Sequence, residues 1–123
     1  MGMERNVLCV MVELQQVVAG VFSDDALLAL DVEPLPASAA DGEEVLRAFL
    51  QQEGIAAPNQ VICCAPDEVA GEWRQVLRRL CRVVPLMTQP DPDLSLSGLY
   101  DAWKAKSKYC KYNDTHRAPC LLR

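Results

Sequence analysis

Three apolar segments, each about as long as a β-strand, occupy most of the first 33 residues of this 123-residue chain. Residues 7–12 and 17–22 are almost wholly apolar, and residues 26–33 begin apolar and then alternate with acidic residues. Such runs, separated by a few polar residues, predict strands joined by tight turns. We therefore expect an antiparallel meander of three strands, although residues 27–30 also suit a helix by intrinsic propensity.

Helices and strands are predicted to alternate in the rest of the chain. The first helix is expected to begin at a cap on Asp41 and to end at Gly54, because Asp caps helices well and Gly favours their C-terminal end. A short apolar strand over residues 60–65 then leads into a second amphipathic helix, which opens after Pro66.

The last predicted elements are a fifth strand and a third helix. The strand is expected over residues 83–87, where Pro85 indicates a sheet edge, a bulge or a strand end. The helix is expected to begin at a cap on Ser95 or Ser97. The predicted fold is therefore α/β, with a mixed five-stranded sheet and the element order β-β-β-α-β-α-β-α. Alternation in the second half predicts parallel strands with right-handed crossovers.

Charge divides the chain into two parts. Residues 1–103 hold six basic and sixteen acidic residues, whereas residues 104–123 hold six basic residues and one acidic residue. We expect a single α/β domain over residues 1–103 and a basic C-terminal tail over residues 104–123. The tail is either a binding device or a segment that folds back onto its own acidic domain.

The cysteines and the N-terminus predict a cytoplasmic protein that does not enter a membrane. Four of the six cysteines lie inside apolar segments, where a reduced thiol behaves as a small hydrophobic group. Cys63 and Cys64 are adjacent, so on a strand their side chains would point to opposite faces, which suits neither a redox pair nor a zinc knuckle. The first residues lack the pattern of a signal peptide, and no apolar run is long enough for a membrane-spanning helix.

The basic tail carries the candidate contact residues for nucleic acid or for a protein partner. Lysines contact phosphates and aromatic rings stack on bases, a composition that suits single-stranded nucleic acid. The same composition also suits the end of a helix that packs its aromatic side chains on the domain. The candidate residues are Lys104, Lys106, Lys108, Tyr109, Lys111 and Tyr112.

The tail also holds three residues of types that bind zinc. Cys110, His116 and Cys120 could supply three ligands, but a structural zinc site normally needs four with tighter spacing. The alternative is an unstructured terminus. His116 is the chain's single histidine, so a catalytic site pairing Ser or Cys with His inside residues 1–103 is excluded.

Residues 5–103 resemble the ribonuclease H-like fold, which is shared by RuvC/YqgF-type resolvases and by half-domains of actin-like ATPases. The resemblance rests on the element order and on two local matches. Residues 32–36 (VEPLP) are similar to the segment that leaves the third strand in YqgF-type proteins. Residues 61–66 (VICCAP) are similar to the apolar fourth strand, which ends in Pro, of the same family.

The resemblance implies carboxylates at strand ends that hold two divalent metals and activate water. The first normally lies in an Asp-x-Gly motif on strand one, but residues 10–14 (VMVEL) offer only Glu13. The turn over residues 13–16 also lacks the glycines with which actin-like ATPases cradle phosphate. The other acids near predicted strand ends are equally ordinary loop residues and helix caps: Asp67, Glu68, Asp91, Asp93 and Asp101.

These observations favour a non-catalytic ribonuclease H-like or actin-like domain that acts through protein–protein contact and uses no cofactor. A second copy of the chain is one candidate partner. The alternative is a divergent metal-dependent nuclease, or a nucleic-acid-binding protein that uses the basic C-terminal segment. Which partner binds, and whether a metal binds near Glu13 and Asp67, does not follow from the sequence.

Overall fold

The computed structural model describes residues 6–81 and 83–115, with side chains up to residue 105. Within these residues the predicted α/β class is confirmed, because five strands form one mixed sheet and three helices accompany it. The strands are β1 (Asn6–Val12), β2 (Gln16–Ser23), β3 (Ala26–Pro34), β4 (Gln60–Cys64) and β5 (Leu86–Thr88). The helices are α1 (Ala39–Gln52), α2 (Asp67–Cys81) and α3 (Leu96–Thr115).

The strands lie in the order β3-β2-β1-β4-β5. The first three pair antiparallel, as their short connections require, and β4 and β5 add parallel to β1 and to each other through helical crossovers. Residues 27–30 lie in β3, so the strand interpretation of this segment is confirmed and the helical alternative is wrong.

Each face of the sheet carries its own core. Leu8 and Val10 of β1 face α1 and α2, whereas Val7 and Cys9 face α3. Successive side chains of a strand point to opposite faces, so a strand covered on both sides must be apolar throughout. This double burial explains the unbroken apolar run of β1.

The two-residue turn between β2 and β3 consists of Asp24 and Asp25, both with positive φ (51° and 69°). Positive φ at both central residues is the requirement of the type I′ hairpin turn, which Asp tolerates better than most residues. The turn places Asp25 beside α3.

The start of α1 differs from the sequence prediction. Ser38, and not Asp41, is the N-cap: its backbone is extended, and its Oγ accepts a hydrogen bond from the Asp41 N–H at 3.2 Å. Asp41 lies in the first turn instead, where its negative charge is attracted to the positive end of the helix dipole.

The end of α1 agrees with the prediction. Gly54 adopts a φ of +75°, and its N–H donates to the Gln51 carbonyl at 3.1 Å. The Ile55 N–H donates to the Leu50 carbonyl at 2.9 Å, which completes a Schellman motif.

The fifth strand is shorter and begins later than predicted. It covers Leu86–Thr88 rather than residues 83–87, because Pro85 has no N–H to donate to the ladder with β4. No helix in residues 6–81 and 83–115 is long and apolar enough to cross a bilayer.

Candidate functional site

The carboxyl ends of β1, β4 and β5 meet at one edge of the sheet, where the resemblance places catalytic carboxylates. Glu13 follows β1 at this edge. Its Oε1 accepts a hydrogen bond from Gln16 Nε2 at 2.7 Å, and its N–H donates to the Gln16 carbonyl at 2.8 Å. The Glu13 side chain therefore stabilises the turn between β1 and β2.

The other acids near this edge also have local roles. Asp67 begins α2, where its negative charge is attracted to the positive end of the helix dipole. Its Oδ2 accepts a hydrogen bond from Gln89 at 3.5 Å. Asp91 Oδ1 accepts a hydrogen bond from the Asp93 N–H at 2.9 Å, which shapes the loop after β5. Asp101 is exposed on α3.

These acids do not converge on a common point. Within residues 6–81 and 83–115, no group of three or more His, Cys, Asp or Glu side chains is placed to hold a metal ion. Two-metal catalysis needs several carboxylates converging on metal ions about 4 Å apart. The residues that the resemblance offers for this chemistry therefore do not fit a pair of divalent metals.

Cys64 lies at the same edge, and its surroundings disfavour the reactive thiolate. Burial raises the pKa of its thiol, and the negative charge of Glu13 raises it further. Burial also raises the pKa of Cys9 and Cys81 to about 12, and that of Cys63 still higher. All four thiols are free and buried, as predicted, and a protonated thiol is a poor nucleophile.

Lys104, the first predicted contact residue of the basic segment, contacts side chains of the turn between β2 and β3 and of α3. Its Nζ lies 2.8 Å from Asp25 Oδ1 and 5.4 Å from the centre of the Tyr100 ring. The Tyr100 hydroxyl donates to Asp25 Oδ1 at 3.0 Å and accepts a hydrogen bond from the Asp25 N–H at 3.1 Å. These contacts tie α3 to the turn between β2 and β3.

Stacked aromatic rings strengthen the same attachment. The rings of Phe22 and Tyr100 lie 4.4 Å apart and nearly parallel, and the ring of Trp103 also stacks with that of Tyr100, at 5.6 Å. Lysine and aromatic side chains are thus interleaved here, as the sequence suggested, but the described ones serve the attachment of α3.

The remaining residues of the basic segment are only partly described. The backbone of Lys106, Lys108, Tyr109, Lys111 and Tyr112 lies in α3, but their side chains lie outside the described part of the structure. The same holds for Cys110, and His116 and Cys120 lie outside the described residues altogether. The nucleic-acid contact, the zinc site and the domain boundary at residue 104 therefore stay predictions.

An apolar surface that the sequence pattern did not reveal lies along β3, which is an edge strand. Leu30 and Val32 are 55% and 50% exposed. They lie opposite Gly20 and Val18 of β2, and therefore on the face of the sheet that carries α3. Leu27, 45% exposed, lies beside Gly20 on the same face. We call Leu27, Leu30 and Val32 the β3 edge surface.

The β3 edge surface is exposed because α3 lies elsewhere on the sheet. The helix packs mainly on β1, β4 and β2, and it covers Gly20 through Leu96 but does not extend over the outer part of β3. The alternation of aliphatic and acidic residues in β3 was the available sequence signal. It indicates a strand with two unlike faces, but it does not show that the aliphatic face is uncovered.

The comparisons with known proteins show a likeness of fold. No protein-family model and no curated protein matches the chain. Among solved structures, the ROK hexokinase from Thermus thermophilus is similar over 68% of this chain and 33% of its own, with 18% identity and a TM-score of 0.55. Pelota from Archaeoglobus fulgidus is similar over 89% of this chain and 37% of its own, with 12% identity and a TM-score of 0.54.

The chain thus spans about a third of the length of each of these structures. At such low identity the likeness shows the fold alone. The fold is, at a coarse level, the actin-like or ribonuclease H-like α/β fold that the element order predicted.

Proposed function

We propose that this chain is a non-catalytic domain with an actin-like or ribonuclease H-like fold, and that it acts through protein–protein contact at the β3 edge surface. The observation that carries the proposal is the exposure of Leu27, Leu30 and Val32 beside a strand edge that pairs with no other strand in residues 6–81 and 83–115. Natural proteins usually protect such edges with charges, prolines or covering elements, because exposed aliphatic edges bind other chains.

The carboxyl edge of the sheet supports a role without catalysis. Glu13, Asp67 and Asp91 act in a turn, at a helix start and in a loop. The turn between β1 and β2, over residues 13–16, contains no glycine that would let its backbone approach a phosphate.

Site-specific photocrosslinking in cells tests the proposal. A benzophenone amino acid is placed at Val32 and, as the matched control, at Glu44, an exposed position on α1. We expect a covalent protein adduct from position 32 and none from position 44. Leu30→Asp in the same chain should remove the adduct, whereas Gln75→Asp, an exposed change on α2, should leave it.

A second comparison tests the absence of catalysis. The combined variant Glu13→Ala, Asp67→Ala and Asp93→Ala should retain the position-32 adduct. Equal adducts at both positions, or a metal-dependent nuclease activity that the combined variant loses, would overturn the proposal.

A further inference from the structure

We propose that the partner at the β3 edge surface is an extended segment of another protein whose basic and apolar side chains alternate, and that it adds to β3 as a sixth strand. This inference rests on the proposed function and names the chemistry of the partner.

The backbone of β3 suits strand addition. The strand is nine residues long, and it lies at the end of the sheet, so its outer row of N–H and C=O groups has no partner strand within the described residues. The segment contains no lysine or arginine, and its single proline is its last residue, Pro34. It therefore lacks a lysine and an internal proline, and its protection consists of the Asp31 and Glu33 charges and of a register shift opposite Val21 and Phe22.

The opposite edge of the sheet differs in the length of its strand and in the position of its proline. There β5 is only three residues long and follows Pro85. A short strand next to a proline offers little backbone for pairing. Of the two sheet edges, β3 is therefore the one that suits another strand.

The two faces of β3 specify different side chains in the partner. Leu30 and Val32 lie on the α3 face, whereas Asp31 and Glu33 lie opposite Ala19 and Val17, on the face that carries α1 and α2. Consecutive side chains of an added strand alternate between the same two faces. Apolar side chains of the partner would thus cover Leu30 and Val32, and every second side chain would lie beside the two carboxylates.

The carboxylates favour a cation at those alternate positions. A hydrogen bond that the protonated Glu33 donates to the Asp31 carboxylate, together with the negative charge of Asp31, raises the pKa of Glu33. Neither group forms an ion pair with any lysine or arginine whose side chain the structure describes. A lysine or arginine opposite them would relieve this repulsion, because opposite charges on neighbouring strands attract and like charges repel.

The same charges disfavour a second copy of this chain. Antiparallel pairing of two β3 strands would bring two copies of Asp31 and Glu33 onto one face of the joined sheet. No basic residue in β3 offsets them, and the surrounding residues 1–103 are strongly acidic.

Titration of the full chain with synthetic peptides tests the inference. Three labelled peptides of nine residues, the length of β3, are compared: alternating Lys and Val, alternating Glu and Val, and a block sequence with the lysines and valines separated. We expect the alternating Lys–Val peptide to bind at least about tenfold more tightly than either of the others. Amide resonances along β3 should shift on binding.

Variants with a matched control locate the binding. Asp31→Asn with Glu33→Gln should weaken the alternating Lys–Val peptide about tenfold. Glu68→Gln with Glu72→Gln removes the same charge from exposed positions on α2 and should change nothing. Circular dichroism verifies the fold of each variant. Equal binding of the block peptide, or equal loss in both double variants, would overturn the inference.

Failure of this inference is distinguishable from failure of the proposed function. If position 32 crosslinks to a protein but the alternating Lys–Val peptide does not bind, protein contact stands and the partner is not a basic and apolar strand. If light scattering shows a dimer that Leu30→Asp dissociates, the occupant is a second copy of the chain, which overturns the inference. An adduct formed with the chain's own residues 116–123 would overturn it as well.

Discussion

The residue at position 42 sets how closely α1 approaches α2. Gly42 is buried, and a Cβ added there would overlap the buried Trp73 ring, lying 2.8 Å from its Cζ3 atom. We expect Gly42→Ala to lower the free energy of unfolding by about 1–3 kcal/mol, because the destabilisation from overpacking exceeds the stabilisation from the higher helix propensity of Ala. Urea denaturation measures this change.

Gly71 provides the matched control. It lies in α2, and an added Cβ would meet nothing within 4 Å. Gly71→Ala should therefore raise the free energy of unfolding by about 0.5–1 kcal/mol. If both variants were equally stable, the close packing of Gly42 on Trp73 would be contradicted.

The N-cap of α1 gives a second prediction at a single residue. Ser38→Ala removes the hydroxyl that accepts the Asp41 N–H, and we expect a loss of about 1 kcal/mol in the free energy of unfolding. Asp41→Ala removes only a charge near the helix dipole, so it should cost about half as much. Thermal or urea denaturation of the two variants, measured side by side, distinguishes the cap from its neighbour.

At the scale of elements, the sequence predicted best those segments whose environment is uniform along their length. The unbroken apolar run of residues 7–12 predicted a strand, which is confirmed as β1, and burial on both of its faces accounts for the run. The end of α1 was predictable because Gly54 has a conformation that few other residues adopt. Its start was not, because Ser38 and Asp41 are both good caps by residue type and only backbone geometry decides between them.

The candidate site was less predictable than the fold. The roles of the acids at its carboxyl edge could be predicted in part, because their sequence positions also matched loops and helix caps. The exposure of Leu30 and Val32 could not be predicted, because it depends on where α3 crosses the sheet. That position follows from long-range contacts, such as those of Tyr100 with Asp25 and Phe22, which no local pattern reveals.

The attachment of α3 to the hairpin predicts a dependence of stability on pH. The hydrogen bond between Asp25 and Lys104 lowers the pKa of Asp25 from its usual value of 3.8. A lowered pKa in the folded state gives a stabilisation that is present above the unfolded pKa and is lost as pH falls through the folded pKa. Asp25→Asn should therefore be less stable than the wild type at neutral pH, and the difference should shrink below about pH 4.

Lys104 gives the corresponding effect in alkali. Asp25 raises the pKa of Lys104 above its usual 10.5, so the stabilisation from this ion pair is present below the unfolded pKa and is lost as pH rises through the folded pKa.

Asp24→Asn is the control for Asp25→Asn, since Asp24 shares the turn but forms no ion pair in the described structure. Urea denaturation from pH 2 to 8 measures the acid limb. Identical profiles for wild type and Asp25→Asn would contradict the attachment.

At the scale of the whole molecule, charge separates the candidate partners. Acidic residues outnumber basic ones by sixteen to six over residues 1–103, and the formal net charge of the chain is −5. A polyanion is repelled by such a domain, whereas a basic segment is attracted to it. The basic part of the chain begins with Lys104, whose ammonium group is already paired with Asp25.

Binding of single-stranded nucleic acid is therefore expected to be absent. Nucleic-acid affinity grows as salt is lowered, because phosphate contacts release counterions, so titration of a labelled oligonucleotide at about 50 mM salt is a sensitive test. We expect no saturable change in fluorescence anisotropy for the full chain. The variant with Lys106, Lys108 and Lys111 changed to Gln should give the same flat titration. Binding that weakens steeply with salt, and that this variant loses, would instead assign the C-terminal segment to nucleic acid.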